Sequence, residues 1–342
     1  MLIAPLADTD PFHLLRHQAV RDLAWCCLSP PLLQELSGSN AHILPLVDTN
    51  IWPWLQALDK QPAALMNALA QVKSTRLGIY YETLWRFYFT HSPQWQLLAH
   101  NFPINRGKAT LGAFDFLCRH GDDYWHIETA VKFYLCDTLD PQQAQDWHHW
   151  IGPNSHDRFD LKLARLRDHQ LPLHQTAEGK TALQQHFPQA DHWRSGLCLQ
   201  GYLFSPAPAT LSINQLTSAE YIHSLPRALH SHASQALGFW WYLRDFLTLI
   251  ADTKLTNAKF NWIVLEREQW FSPVQLPDVN LTIEVELLSQ QLMHQLHQTK
   301  RPLMVAAVIE SCLENDEKNI IWREQLRGFV VPDDWPQNHS NP

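Results

Sequence analysis

Apolar and polar residues along this 342-residue chain follow two different periods. Near the N-terminus the apolar positions recur with the spacing of an amphipathic helix. Three segments have this spacing: His13 to Cys27, Pro62 to Gln71, and Lys73 to Phe89. The first is ended by Ser29-Pro30-Pro31, because proline cannot continue a helix. The sequence therefore predicts a helical N-terminal part.

The next segments have strand character and are separated by turn residues. They are Trp95 to Ile104, Thr110 to Arg119, and Tyr124 to Leu135. The link His120-Gly121-Asp122-Asp123 is a strong hairpin signal. We therefore predict three consecutive strands, with the second and third antiparallel.

A helix and a fourth strand are predicted after a polar connection. The helix covers about Arg158 to Gln170, with Asp157 as a plausible N-cap and Leu171-Pro172 as its end. The strand covers Arg194 to Phe204. The predicted order is helix, three strands, helix, strand, which indicates a mixed α/β fold.

The proline-rich stretch Pro206 to Ala209 is a candidate boundary. We predict an N-terminal helical extension over 1–75, an α/β core over 76–205, and a mixed α/β C-terminal region over 206–342 that packs on the core. The elements predicted in the last region are a helix near Ser234 to Ala251, a strand near Asn261 to Arg267, a helix near Val285 to Thr299, and strands near Leu303 to Glu310 and Arg327 to Val331.

Composition narrows the class of protein. The chain is 45% hydrophobic and 18% charged, so it can bury a sizeable core. It contains no apolar run of membrane length and no secretory leader pattern, so we expect a cytoplasmic protein without a membrane partner. The six cysteines are scattered, which favours reduced, buried thiols over a zinc site. A net charge of −8 disfavours non-specific coating of nucleic acid but is compatible with a local basic groove.

The third strand carries candidate chemistry. Side chains alternate between the two faces of a strand, so Glu128 and Lys132 share one face, opposite an apolar face. The alternative is an ordinary half-exposed strand with an ion pair.

The second strand strengthens the case for a site. Asp115 lies within the apolar run Phe114 to Leu117, where a lone carboxylate would lose much of its hydration. Antiparallel pairing can bring Asp115 close to Glu128, and two such carboxylates repel each other unless a cation lies between them. Mg²⁺ or Mn²⁺ is the natural cation, because both prefer oxygen ligands. Glu82 supplies a third acid, although it could equally be a helix-surface residue.

The arrangement of Glu82 on a first helix, Asp115 on the second strand, and Glu128 with a lysine on the third strand resembles the PD-(D/E)XK nuclease superfamily. Several segments are also similar to the bacterial domain of unknown function 1853 family. These segments are Arg16 to Trp25, Leu111 to Phe116, Glu128 to Leu135, Gly152-Pro153-Asn154 with Asp157-Arg158, and Arg327 to Pro332.

The superfamily resemblance implies a role for each residue of the site. Asp115 and Glu128 would hold a Mg²⁺ or Mn²⁺ ion, and Glu82 would bind a second ion or orient a water molecule. Lys132 would position the attacking water. The superfamily pattern has its lysine two residues after the second acid, where this chain has Ala130. Lys132 lies on the same face, about 6.6 Å beyond Ala130 along the strand.

The predicted helix after the strands has a basic face. Arg158, Lys162 and Arg165 recur at helical spacing and are candidate contacts to nucleic-acid phosphates. The alternative is a solvated face that pairs with Asp160 or Asp168.

The sequence thus predicts a Mg²⁺-dependent nuclease that hydrolyses phosphodiester bonds in DNA or RNA. Two alternatives stay open. One is a catalytically inactive nuclease-fold protein that acts as a nucleic-acid-binding or scaffold module. The other is a hydrolase that uses the same carboxylates without a metal.

Overall fold

A large mixed β-sheet organises the part of the chain that the computed structural model describes, namely residues 11–45, 51–208, 210–255, 260–277, 284–313 and 316–336. Within these ranges the sheet has eleven strands. They are β1 His42–Leu44, β2 Trp95–Arg106, β3 Ala109–His120, β4 Asp123–Cys136, β5 Trp150–Ile151, β6 Trp193–Pro206, β7 Leu237–Tyr242, β8 Asn261–Val264, β9 Gln275–Pro277, β10 Leu303–Leu313 and β11 Asp316–Val331.

Helices of very different lengths surround the sheet. In the same ranges they are α1 Gln18–Leu28, α2 Ile51–Lys60, α3 Ala63–Ala70, α4 Leu77–His91, α5 Phe159–Arg165, α6 Ala177–His186, α7 Ile213–Leu216, α8 Ala219–Ser224, α9 Leu243–Leu255 and α10 Val285–Thr299. After α5 the chain continues without a break into a π-helical turn, Leu166–Gln170, and a 3-10 turn, Leu171–Gln175.

The strand order is β2-β3-β4-β6-β7-β11-β10-β8. Strands β2, β3 and β4 are antiparallel neighbours, joined by tight turns. Strand β6 lies parallel to β4, and the connection through α5 and α6 provides the crossover that a parallel pair requires. Strands β7 and β11 continue in parallel, whereas β10 and β8 are antiparallel additions at the far edge.

Helices cover both faces of the central strands. On one face, α1 to α4 pack against β4 through residues such as Ile127 and Phe133. On the other face, α5 and α7 to α10 form a second core that contains Tyr134. Since Phe133 and Tyr134 are neighbours on one strand, β4 lies in the middle of three layers.

The predicted order of helix, three strands, helix and strand is confirmed. Helix α4, strands β2 to β4, the α5 region and β6 follow one another as expected, with bounds that differ by a few residues from those predicted. Strand β1, helices α2 and α6, and several short elements were not predicted. The overall class, a mixed α/β protein with a large sheet, is also as expected.

Three local predictions were wrong. Leu237 to Tyr242, predicted as part of a helix, forms β7, because a short run that is apolar on both faces has no period to separate strand from helix. Asp157 is not the N-cap of α5; Arg158 occupies that position without a side-chain cap. Leu171-Pro172 does not end the helical segment, since proline is tolerated in the first turn of the 3-10 segment that follows.

The sheet continues across the candidate boundary near residue 206, because β6 pairs with β7 and β7 with β11; Ala209 itself lies outside the described residues. Five cysteines are buried and form no disulfide within the described residues, and the side chain of Cys312 lies outside the described part. No helix within the described ranges combines the length and apolar character needed to cross a membrane.

Candidate active site

Strands β3 and β4 stop pairing at the position of Asp115. Their register ends at Phe116 opposite Ile127. One step further, the Asp115 carboxylate accepts the backbone N–H of Thr129 at 2.9 Å from Oδ2. A hydrogen bond to a side chain thus replaces the backbone-to-backbone hydrogen bonds between the two strands at this position. The regular pairing of β3 and β4 therefore ends beside the acidic residues Asp115 and Glu128.

Glu128 is fully buried on β4, and both of its carboxylate oxygens have a donor. Nε2 of His126 lies 2.8 Å from Oε1, and the side-chain amide of Gln170 donates to Oε2 at 2.6 Å. The π-helical turn after α5 brings Gln170 to this position. The orientation of the Glu128 carboxylate is therefore set from two sides.

A second histidine determines the tautomer of His126. Nδ1 of His174 lies 2.8 Å from the carbonyl oxygen of Leu171, so this nitrogen carries the hydrogen and donates it. Nδ1 of His126, 3.4 Å from Nδ1 of His174, is then an acceptor, and its Nε2 carries the hydrogen that points to Glu128. Burial lowers the pKa of His126 to about 3, so the ring is neutral.

Glu82 approaches from α4 on the other side of the strand opening. Its Oε1 accepts from Nε2 of His100 at 2.5 Å and from the amide of Asn101 at 2.8 Å. Asn101 has a φ of +50°, and it occupies the β2 position between the pairs His100–Phe116 and Phe102–Phe114, across from Asp115. The departure of β2 from regular strand geometry at Asn101 thus brings Glu82 and Asp115 to the same region.

The charges of the three acids act on one another. Burial, together with the nearby charges of Glu128 and Glu82, raises the pKa of Asp115 to about 7. Burial likewise raises the pKa of Glu128 to about 7, although Lys162 and Gln170 oppose the shift. The bond from His100 instead lowers the pKa of Glu82. The carboxyl groups of Asp115 and Glu128 are therefore only partly ionised at neutral pH, as expected for a site without enough positive charge.

The two lysines near the site have different neighbours. Lys132 on β4 donates to the carboxylate of Asp157, so its ammonium is paired with a residue outside the acidic group. Lys162 on α5 donates to the side-chain oxygen of Gln170 at 3.0 Å, next to Glu128. Burial and Lys132 lower the pKa of Lys162, whereas Asp115 and Glu128 raise it. Lys162 is thus the cation whose charge acts on both acids.

The basic residues predicted to contact nucleic acid do not share one exposed face. Arg158 precedes α5 and forms a two-point pair with Asp160, at 2.7 and 2.8 Å. Lys162 points inward to Gln170, and Arg165 is exposed. The pairing of Arg158 corresponds to the alternative considered for this face.

The donor set at the site is partly suited to a divalent cation. Asp115 and Glu128 offer hard oxygen ligands whose raised pKa values a cation would reverse. However, no three His, Cys, Asp or Glu side chains among the described residues are close enough to form a ready metal site. The acids thus interact through their charges but are not preassembled as three ligands. Asp115 and Glu128 fit a metal as a pair; Glu82, held by His100 and Asn101, does not yet join them.

Several residues of the site were not predicted from the sequence. His126 had a usable signal, since it lies two residues before Glu128 and shares its face. Gln170, His174, His100 and Asn101 had none, because only the folded chain brings them to the carboxylates.

The fold and the site define an α/β protein with a large mixed sheet and an acidic group at the point where two central strands separate. The chain belongs to the family described as domain of unknown function (DUF1853), whose sequence model matches residues 21–331. Neither the curated proteins nor the solved structures gave a match to this chain.

Proposed function

We propose that this protein is a metal-dependent nuclease that hydrolyses phosphodiester bonds in DNA or RNA. The observation that carries the proposal is the electrostatic coupling of Asp115, Glu128 and Glu82, which come from three separate elements and influence one another's charge near the point where β3 and β4 stop pairing. Such a group of acids stays unfavourable without a cation, which supports a binding role for it.

The connectivity around the acids supports the same proposal. Helix α4, the antiparallel strands β2 to β4, the α5–α6 crossover and the parallel strand β6 occur in the order of a PD-(D/E)XK nuclease core. The positions of the acids, on the first helix and on the second and third strands, resemble those expected for that superfamily and support the proposal. The likeness concerns topology and residue placement, and it motivates the choice of reaction.

Asp115 and Glu128 would hold a Mg²⁺ or Mn²⁺ ion. When bound, the ion would polarise the phosphate and lower the pKa of water at the site. Glu128 presents a fixed carboxylate, because His126 and Gln170 hold both of its oxygens. Glu82 would orient the attacking water. Its lowered pKa keeps it ionised at neutral pH, and an ionised carboxylate is the stronger acceptor of a hydrogen bond from water.

Lys162 is a better candidate than Lys132 for the positive side chain of the site. The superfamily position is occupied by Ala130, and the ammonium of Lys132 is paired with Asp157. The charge of Lys162 acts on both Asp115 and Glu128, and its Nζ reaches Gln170 beside Glu128. In this proposal Lys162 offsets the negative charge of the phosphate, while Lys132 and Asp157 support the helical connection.

The test combines metal binding with cleavage. Calorimetry with Mn²⁺ would compare the wild type with Asp115→Asn and Glu128→Gln, and Asp122→Asn, an exposed acid in the β3–β4 turn, is the matched control. Supercoiled, linear and single-stranded DNA and RNA are then offered with Mg²⁺ or Mn²⁺. We expect cleavage that requires the metal and falls about 100-fold or more in both site variants. A wild type that neither binds Mn²⁺ nor cleaves any substrate refutes the proposal.

A second candidate function is nucleic-acid binding without catalysis. It is favoured by the pairing of Lys132 with Asp157 and by the neutral donors that already satisfy the Glu128 carboxylate. Binding of a substrate by the wild type, with no cleavage under any metal condition, would select this candidate.

A further inference from the structure

A second polar cleft lies on the other side of the 171–175 turn from the acidic group. Its volume is about 1150 Å³, and it is bounded by the 38–42 loop, by the 171–175 turn, by α6 and by the start of β6. The turn separates the two places: Gln170 just before it contacts Glu128, while Leu171 and His174 line the cleft. The cleft is therefore distinct from the carboxylate site.

The side chains that line this cleft are mostly basic or neutral. Lys180, Arg167 and Arg194 carry positive charge, and Asp191 is the one acid among the lining residues. This is unusual in a chain whose net charge is −8. Lys180 is exposed and has no ion pair within the described residues.

The two arginines have acidic partners that a ligand can displace. Arg167 pairs with Asp168 and Arg194 with Asp123, and all four side chains are 41 to 48% exposed. Exposed ion pairs contribute little to stability, so exchanging a carboxylate for a ligand's phosphate has a low cost. Phosphate also matches the planar donor fork of arginine.

His174 lines the cleft next to these cations. Burial lowers the pKa of its ring to about 4, and the charge of Lys180 on α6 acts in the same direction. The ring is therefore neutral at neutral pH, and the positive charge of the cleft comes from its lysine and arginine side chains.

The cleft also has groups that suit a nucleobase. Asn40, Gln175 and Gln184 offer amide donors and acceptors, and Trp193 and His42 contribute rings. The hydroxyl of Ser195, on the same wall, is buried and has no hydrogen-bond partner among the described residues. The volume is large enough for a nucleotide, since pockets for small ligands span about 300–1000 Å³.

We propose that this cleft is a binding site for nucleotides, in which Lys180 and Arg194 contact the phosphate. The ligand is either a free nucleotide or one nucleotide of a longer strand, since both present the same chemistry. The proposal goes beyond the metal-dependent nuclease function and does not depend on it, because no residue of the acidic group lines the cleft.

The test is calorimetry in EDTA, so that no divalent ion reaches the acidic group. The probes are inorganic phosphate, AMP and a 5′-phosphorylated trithymidylate. Lys180→Gln and Arg194→Gln are compared with the wild type. Lys60→Gln is the matched control, because Lys60 is exposed at the end of α2 on the opposite face of the sheet. Asp115→Asn tests independence from the proposed nuclease site.

We expect AMP or the trinucleotide to bind more tightly than inorganic phosphate, and the affinity to fall with added KCl. Each cleft variant should weaken binding about tenfold, whereas Lys60→Gln and Asp115→Asn should leave it unchanged. Equal binding of AMP and trinucleotide identifies a free nucleotide as the ligand, and tighter binding of the trinucleotide identifies a strand. Absence of binding by the wild type, or equal losses in Lys180→Gln and Lys60→Gln, overturns the proposal.

Discussion

Nε2 of His126 donates a hydrogen bond to Oε1 of Glu128 at 2.8 Å, and neither side chain is exposed to solvent. The two residues are separated by one position on β4, so the strand itself sets their geometry. The bond satisfies one oxygen of a buried carboxylate with a neutral donor. The orientation of the Glu128 carboxylate is thus fixed before any ligand arrives.

Replacing His126 tests this orientation. His126→Phe keeps a ring of similar shape but removes the donor, so Oε1 of Glu128 loses its partner in the core. We expect the affinity for Mn²⁺, measured by calorimetry, to fall about 10- to 100-fold, and the free energy of unfolding to fall by about 1–3 kcal/mol. His192→Phe, which changes an exposed ring in the cleft, is the control. An unchanged Mn²⁺ affinity in His126→Phe would show that the bond does not support a metal site.

The pH dependence of stability reports on Asp115. Its folded pKa, about 7, lies above the ordinary value of 3.8, so between these pH values the folded state binds more protons than the unfolded state. The contribution of Asp115 to the free energy of unfolding of the metal-free protein therefore decreases as pH rises from about 4 to 7. Asp115→Asn removes this contribution, and we expect it to be more stable than the wild type at pH 8 by about 1–3 kcal/mol.

Urea denaturation in EDTA at several pH values measures this difference. His126 and His174, whose pKa values are lowered to about 3 and 4, have the opposite effect, since their unfolded forms bind more protons up to about pH 6.5. Both histidines are present in wild type and variant, so the difference between the two isolates Asp115. Asp122→Asn should follow the wild type at every pH. Identical curves for Asp115→Asn and the wild type would contradict the electrostatic coupling.

Substitutions of Lys162 and Lys132 are expected to differ in their effects on metal affinity and on cleavage. Lys162→Met removes a cation whose charge acts on Asp115 and Glu128, so Mn²⁺ should bind as well as or more tightly than in the wild type, while cleavage falls about 100-fold. Lys132→Met removes a partly exposed pair with Asp157 and should reduce cleavage by less than about tenfold. The measurements are Mn²⁺ calorimetry and initial rates on one substrate. If Lys132→Met abolishes cleavage and Lys162→Met does not, the assignment of the lysines is reversed.

Gly201 on β6 is expected to tolerate no side chain. A Cβ there would lie 1.6 Å from the carbonyl oxygen of Lys132 on the neighbouring strand, and its φ of +143° disfavours any other residue. Gly201→Ala should reduce the free energy of unfolding by more than about 3 kcal/mol, measured by urea denaturation. Gly78→Ala is the contrasting variant, because Gly78 lies in the first turn of α4 with no atom near its Cβ position. We expect it to change stability by at most about 1 kcal/mol, in the stabilising direction.

The sequence by itself determined the elements that carry a strong period. The strands from Trp95 to Cys136, with their tight turns, follow from alternation and turn residues, and α10 was predicted with the bounds Val285 and Thr299 that the structure has. The same reasoning placed Glu128 and Lys132 on one face of β4 and brought Asp115 next to Glu128. These features are local, because period and turn chemistry depend on residues that are close in the chain.

Only the tertiary structure decided which charges meet. Lys132 shares a face with Glu128, yet its ammonium is paired with Asp157. Lys162 was predicted for an outer helix face, but it donates to Gln170, which the π-helical segment after α5 brings beside Glu128. Gln170 contacts Glu128 directly, and His174 contacts it through His126. Both residues belong to a helical segment that was predicted to end at Leu171-Pro172 but continues beyond it. Partners of this kind are set by how layers pack across the sheet. No period along the chain records that packing.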